Sequence, residues 1–201
     1  MLDDQYVRKS LSEAQSALQE LLTNNRTIQA IAEAGHAIAD CLQKGGRVFS
    51  CGNGGSMCDA MHFAEELSGR YRRDRAALAA VSISDPSHLS CVANDYGYEF
   101  VFSRYLEAHA RPGDCLLAIS TSGKSKNVMA AVEAAHKAGV TVIGLMGTQD
   151  SPLGQKAEIR IATPAGAYAD RIQELHIKVI HILIELIERK LFPENYQGTT
   201  P

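Results

Sequence analysis

The sequence predicts an α/β fold, a doubly wound and mostly parallel five-stranded sheet flanked by helices, with two further helices ahead of it. Three observations lead there. Five short apolar runs, RVFSC at 47, AAVSIS at 79, DCLLAIS at 114, TVIGLM at 141 and EIRIA at 158, have the length and composition of buried strands. The stretches between them are long enough for helices, and parallel neighbours need such crossover connections. Ahead of the first run, Val7, Leu11, Ala14, Leu18 and Leu21, then Ile28, Ile31, Ala34 and Ile38, recur at helical spacing. These are two helices between about residues 5 and 44, broken near Asn24-Asn25, and Lys44-Gly45-Gly46 ends the second.

A length of 201 residues with 45% hydrophobic content suits one domain, 1–201, and leaves little room for another. Lys plus Arg number 20 against 23 Asp plus Glu, so no overall basic charge points to nucleic acid. The start, MLDDQYVRKS, lacks the apolar core of a secretory signal, and the longest apolar run, near IHILIELI, is too short to cross a bilayer. A cytoplasmic protein without a membrane partner is expected. Cys41, Cys51, Cys58, Cys91 and Cys115 are odd in number and show no CxxC pair, so disulfides are not expected. The segment from Tyr168 to about Leu191 is apolar on more than one face, which marks a helix buried on several sides. Packing against a second copy is the economical explanation, and a homo-oligomer is expected. The tail PENYQGTTP is polar and should fray.

Ligands of open parallel sheets collect beyond the carboxyl ends of strands, which singles out the turns after Cys51 and after Ile119. The second turn, Ser120-Thr121-Ser122-Gly123-Lys124-Ser125, offers four hydroxyls and a glycine at a helix N-terminus, where free N–H groups attract anions. That suits a phosphate monoester, although the hydroxyls would also serve as plain helix caps. Gly123-Lys124-Ser125 resembles a nucleotide-binding P-loop, but Ala118 stands where that motif needs glycine. The first turn, Gly52-Asn53-Gly54-Gly55-Ser56, lacks the GxGxxG spacing of a dinucleotide site. Its N–H groups and the Asn53 amide can meet sugar oxygens, or the glycines serve geometry alone.

His62 and Glu66 lie four apart on the helix after this turn and face one side. Gln173 and His181 lie eight apart on the last helix, about 80° apart in angle, and can look into one cleft. Two imidazoles, a carboxylate and an amide suit zinc; a helical His–Glu pair is also ordinary surface chemistry. His181, set among Ile180, Ile182, Leu183 and Ile184, must have a partner. Asn94-Asp95 can bind sugar hydroxyls or make a turn. Asp85-Pro86 reads as an N-cap and first-turn proline, and Arg70, Arg72, Arg73 and Arg75 mostly as a solvated edge.

The blocks SCGNGGSMCDAMHFAEELSGRYR at 50, ISDPSHLSCVANDYG at 83, AISTSGKSKNV at 118 and YADRIQELHIKVIHILIELIE at 168 closely resemble the phosphoheptose isomerases of the sugar isomerase (SIS) domain family, over nearly the whole chain. The resemblance implies isomerisation of D-sedoheptulose 7-phosphate to D-glycero-D-manno-heptose 7-phosphate, for the heptose of bacterial lipopolysaccharide. It implies a homotetramer with sites at subunit interfaces. It places phosphate on Ser120, Thr121, Ser122 and Ser125, and the sugar against Asn53, Gly54, Glu66, Asn94, Asp95 and Gln173. Glu66 falls where the family has its base and His181 where it has its acid, with zinc on His62, Glu66, Gln173 and His181. Met57 departs from the histidine expected in the glycine turn. The alternative is a non-catalytic SIS-domain protein that binds the bacterial replication initiator; Glu66, His62 and His181 together favour the enzyme.

Overall fold

The computed structural model describes residues 2–166 and 168–198. Helices α1 (Leu2–Thr23) and α2 (Asn25–Gln43) come first, and Asn24 separates them as an N-cap whose side chain accepts from the Thr27 N–H. There follow β1 (Val48–Cys51), α3 (Gly55–Ser68), β2 (Ala80–Ser82), α4 (Pro86–Asp95), α5 (Ser103–His109), β3 (Cys115–Ser120), α6 (Lys126–Lys137), β4 (Thr141–Met146), α7 (Pro152–Lys156), β5 (Ile159–Ala162) and α8 (Ala169–Leu191). Asp85 caps α4 at 2.8 Å from the His88 N–H, with Pro86 in the first turn.

The sheet runs β2-β1-β3-β4-β5, and every pairing is parallel. Burial on both faces explains why its strands read as continuous apolar runs. Along β3, Cys115, Leu117 and Ile119 enter the layer under α1, α2, α3 and α8, while Leu116 and Ala118 enter the layer under α4 to α7. That is the two-residue period of a strand with a core on each side. The order reverses between β1 and β3, so α3 and α6, which follow them, lie on opposite faces and leave a crevice beyond the strand ends.

Helix α8 packs on the chain's own α2, α3 and β4, which bury most of its apolar residues and leave Ile182 exposed. An open apolar face lies on α1, where Val7 and Leu11, read as core-facing from their spacing, are exposed beside Tyr6, and only Ala17 and Leu21 are buried. The tail departs from expectation too. Pro193–Tyr196 forms a 3-10 turn, Tyr196 donates to Glu188 at 2.7 Å and Asn195 to the Asp74 carbonyl at 3.1 Å; residues 199–201 lie outside the described residues. Cys41, Cys51 and Cys115 are buried, Cys58 and Cys91 exposed, and all five are free. No helix among the described residues is long and apolar enough to cross a membrane.

The fully buried histidine of α8 is His176, against the end of β4. Neither ring nitrogen has a hydrogen-bond partner, and burial pushes the pKa down from 6.5 to about 4, against a smaller upward pull from the Met146 backbone. Above about pH 6.5 the ring is neutral in the folded and unfolded chains alike. As pH falls from 6.5 towards 4 the unfolded chain takes up a proton that the folded chain refuses, costing up to about 3 kcal/mol of stability. Urea midpoints between pH 8 and 4 should therefore fall less steeply for His176→Leu than for the wild type; equal slopes would exclude His176 as the cause.

Candidate active site

The turn from Ser120 to Ser125 is held by hydrogen bonds among its own residues. Ser120, at the end of β3, is buried; its Oγ lies 3.1 Å from Ser125 Oγ and accepts from the Gly123 N–H at 3.1 Å. Gly123 has φ +63°, and a Cβ there would fall 2.2 Å from Ser151 Oγ, so both conformation and space demand glycine. Ser122 Oγ accepts from the Lys124 N–H, and the Thr121 carbonyl accepts from Gly147 N–H. Ser125 is the N-cap residue of α6, yet its side chain makes no capping bond. Its hydroxyl turns to Ser120, which counts against capping as the sole reason for this serine-rich turn.

The glycine turn lies beside it. Asn53 Nδ2 donates to Asn127 Oδ1 at 2.8 Å and Asn127 Nδ2 donates back to Asn53 Oδ1 at 2.7 Å, while Tyr98 Oη donates to the same oxygen at 3.2 Å. Most of the Asn53 amide, read as a sugar ligand, is thus spent on joining β1's turn to α6. A groove of about 490 Å³ opens over this clasp between Tyr96, Tyr98, Ser125 and Lys126. Gly54, the N-cap of α3, is exposed at the same turn. A Cβ on Gly55 would come within 2.8 Å of the Gln173 amide, so α8 lays Gln173 directly on this turn.

Further along α3 the titratable groups gather. His62 Nε2 lies 2.9 Å from His181 Nε2 and 3.6 Å from Glu66 Oε1, and His62 Nδ1 lies 3.5 Å from Glu65 Oε1. Tyr71 stacks on the His181 ring at 5.9 Å between centroids and 27° between planes. His181 therefore has its partner, although it is only partly buried. Its pKa is lowered, first by burial and then by His62, against the opposing pull of Glu66. His62 thus touches His181 on one side and Glu66 on the other, and imidazole nitrogens with carboxylate oxygens are donors that suit zinc. Among the described residues the candidate ligand atoms within 4.8 Å of one another are those of His62, Glu65 and Glu66, and His181 reaches this group through His62.

Of the four ligands that the resemblance implied, His62 meets Glu66 and His181, each in turn. Gln173 does not join them: on Gly55 it is seven residues of α3 before His62, about 10 Å along the axis. Asn94 and Asp95 end α4, exposed and bonded to each other at 2.8 Å, a few residues before Tyr98. Met57 packs against the core layer on the α6 side.

Sequence reasoning missed Asn127, Tyr98, Tyr71, Asp59 and Arg75. Asp59 lies between Gly55 and His62 on the same stripe of α3; its Oδ2 is buried without a partner and burial pushes the carboxyl up to about 6, against the pull of His62. The period of that stripe, 55, 59, 62, 66, was the available signal. The basic run divides: Arg70, Arg72 and Arg73 are exposed, but the Arg75 side chain is only 1% exposed and paired with Glu188.

Residues 11–147 match the model of the SIS domain family. The chain belongs to that family. A phosphoheptose isomerase of Tolumonas auensis is 56% identical over 92% of this chain and 96% of its own length, and one of Aeromonas hydrophila 55% over the same shares. Among solved structures, the phosphoheptose isomerase of Neisseria gonorrhoeae superposes with a TM-score of 0.85 at 36% identity, covering 94% of this chain and 99% of that one. That of Francisella tularensis gives 0.88 at 31%, covering 94% and 100%. The parallel sheet flanked by eight helices is thus the SIS fold of these isomerases.

Asn127→Ala should leave Asn53 Nδ2 without its partner at the SIS domain's two-turn joint and cost about 1–3 kcal/mol in urea unfolding. A loss under about 0.5 kcal/mol would show that the clasp does not hold the turns together.

Proposed function

We propose that this chain interconverts D-sedoheptulose 7-phosphate and D-glycero-D-manno-heptose 7-phosphate, supplying heptose for lipopolysaccharide from the cytoplasm. Near full-length relatives named phosphoheptose isomerase, at 55–56% identity, support an isomerase. The observation that carries the reading is the contact of His62 with both Glu66 and His181 between α3 and α8, in a chain that also has an internally hydrogen-bonded hydroxyl turn at a helix N-terminus. The turn from Ser120 to Ser125 holds the phosphate; Gly54 and Gln173, with Asn94 and Asp95, face the sugar chain. Binding energy gathered at the phosphate, far from the reacting carbons, fixes C1 and C2 against the base.

Glu66 takes the proton from C1 and returns it to C2. His181, held neutral near pH 7 by its lowered pKa, gives a proton to O2 through one ring nitrogen and accepts one from O1. The intermediate is an enediol and no proton is gained or lost overall. His62 and Glu66, with His181 beside them, would hold zinc, and the metal would supply Lewis-acid polarisation of the sugar carbonyl. A homotetramer completes the reading, supported by the exposed apolar residues of α1.

Glu66→Gln should lower turnover of sedoheptulose 7-phosphate about 10²- to 10⁴-fold while leaving its binding largely intact. Unchanged turnover would remove Glu66 from the role of base. Chelation should likewise lower turnover and zinc restore it; activity indifferent to both would assign the chemistry to the side chains alone.

A further inference from the structure

Arg75 has no part in the reading above, although its guanidinium is buried beside the site. Nε donates to Glu188 Oε1 at 2.8 Å. Nη1 lies 2.8 Å from the carbonyls of Leu67 and Gly69 and 3.2 Å from that of Ala76, and Nη2 donates to the Glu66 carbonyl at 2.7 Å. Glu188 Oε2 in turn accepts from Tyr196.

These carbonyls are not arbitrary. Glu66 and Leu67 belong to the last turn of α3, whose carbonyls have no partner within the helix, and a cation there also suits the helix dipole. Gly69 and Ala76 bound the loop that carries Tyr71 onto the His181 ring. Glu188 stands seven residues, or two turns, beyond His181 on α8. One planar group therefore ties together the backbone of Glu66, the loop of Tyr71 and the helix of His181.

We propose that Arg75 is a positioning residue for the isomerisation: it holds Glu66 and Tyr71 in place against His181. The proposal rests on the isomerase reading and adds to it a residue that touches no reacting atom. A lysine would keep the charge opposite Glu188, but its single ammonium cannot reproduce the planar spread of donors over four carbonyls.

The test is Arg75→Lys, measured by steady-state kinetics on sedoheptulose 7-phosphate and by NMR detection of the contact between the His62 and His181 rings. A displaced base should cost kcat about 10-fold or more with KM changed less than about twofold, because the phosphate turn is untouched, and the ring contact should weaken. A merely structural Arg75 would lower the melting temperature and leave kcat per folded site and the ring contact as they are; that result overturns the proposal. Wild-type protein that fails to turn over the sugar would sink the isomerase reading alone, since the ring contact still decides whether Arg75 positions these groups. Should the lysine variant fail to fold, Tyr196→Phe loosens Glu188 with the ion pair kept, and kcat should fall about threefold at constant KM. An unchanged kcat there also overturns the proposal.

Discussion

The structure depends on the seam between α3 and α8. The two helices run side by side in the same sense: Gly55 meets Gln173, His62 meets His181, and behind the end of α3 Arg75 meets Glu188. One end of the seam is set by the absence of a side chain and the other by a buried ion pair. Removing either member of such a pair strands a charge away from water, which is far costlier than losing an exposed contact. Between these two fixtures, side chains at helical spacing have little freedom except to converge.

The second organising element is the reversal of strand order between β1 and β3. It sends α3 and α6 to opposite faces, so two helix N-termini and two tight turns border one crevice. An anion entering there meets free backbone N–H groups and hydroxyls that are already arranged among themselves. The sheet supplies the place; the turns supply the donors.

Much of this was legible in the sequence because its signals are local. Strands buried on both faces must be apolar throughout, so five runs could be read directly, and Asn24, Asp85 and Gly123 mark boundaries through their own backbone chemistry. What escaped depends on contacts distant in sequence. Asn127 looked like any polar residue at a helix start until Asn53, 74 positions away, closed on it. Arg75 sat in a basic run that read as solvated, and only Glu188 explains its burial. On α8 the flanking isoleucines marked His181 as the buried histidine, whereas helical phase turns His176 inward and leaves His181 at the edge. The helix class was plain; which of its histidines served packing and which faced the cleft was a matter of angle.

The clasp between the two turns is made of amides, and this has a consequence for how the crevice meets its guest. The Asn53 and Asn127 amides have no ionisable group, so their mutual bonds neither attract nor repel an incoming anion and are indifferent to salt. A phosphate monoester passes from singly to doubly charged near pH 6, and a joint made of carboxylate and ammonium would compete with it for partners. On the proposed reading the joint stays constant while the ligand's charge varies, and selectivity for the more charged form would fall to the hydroxyls and N–H groups of the serine turn.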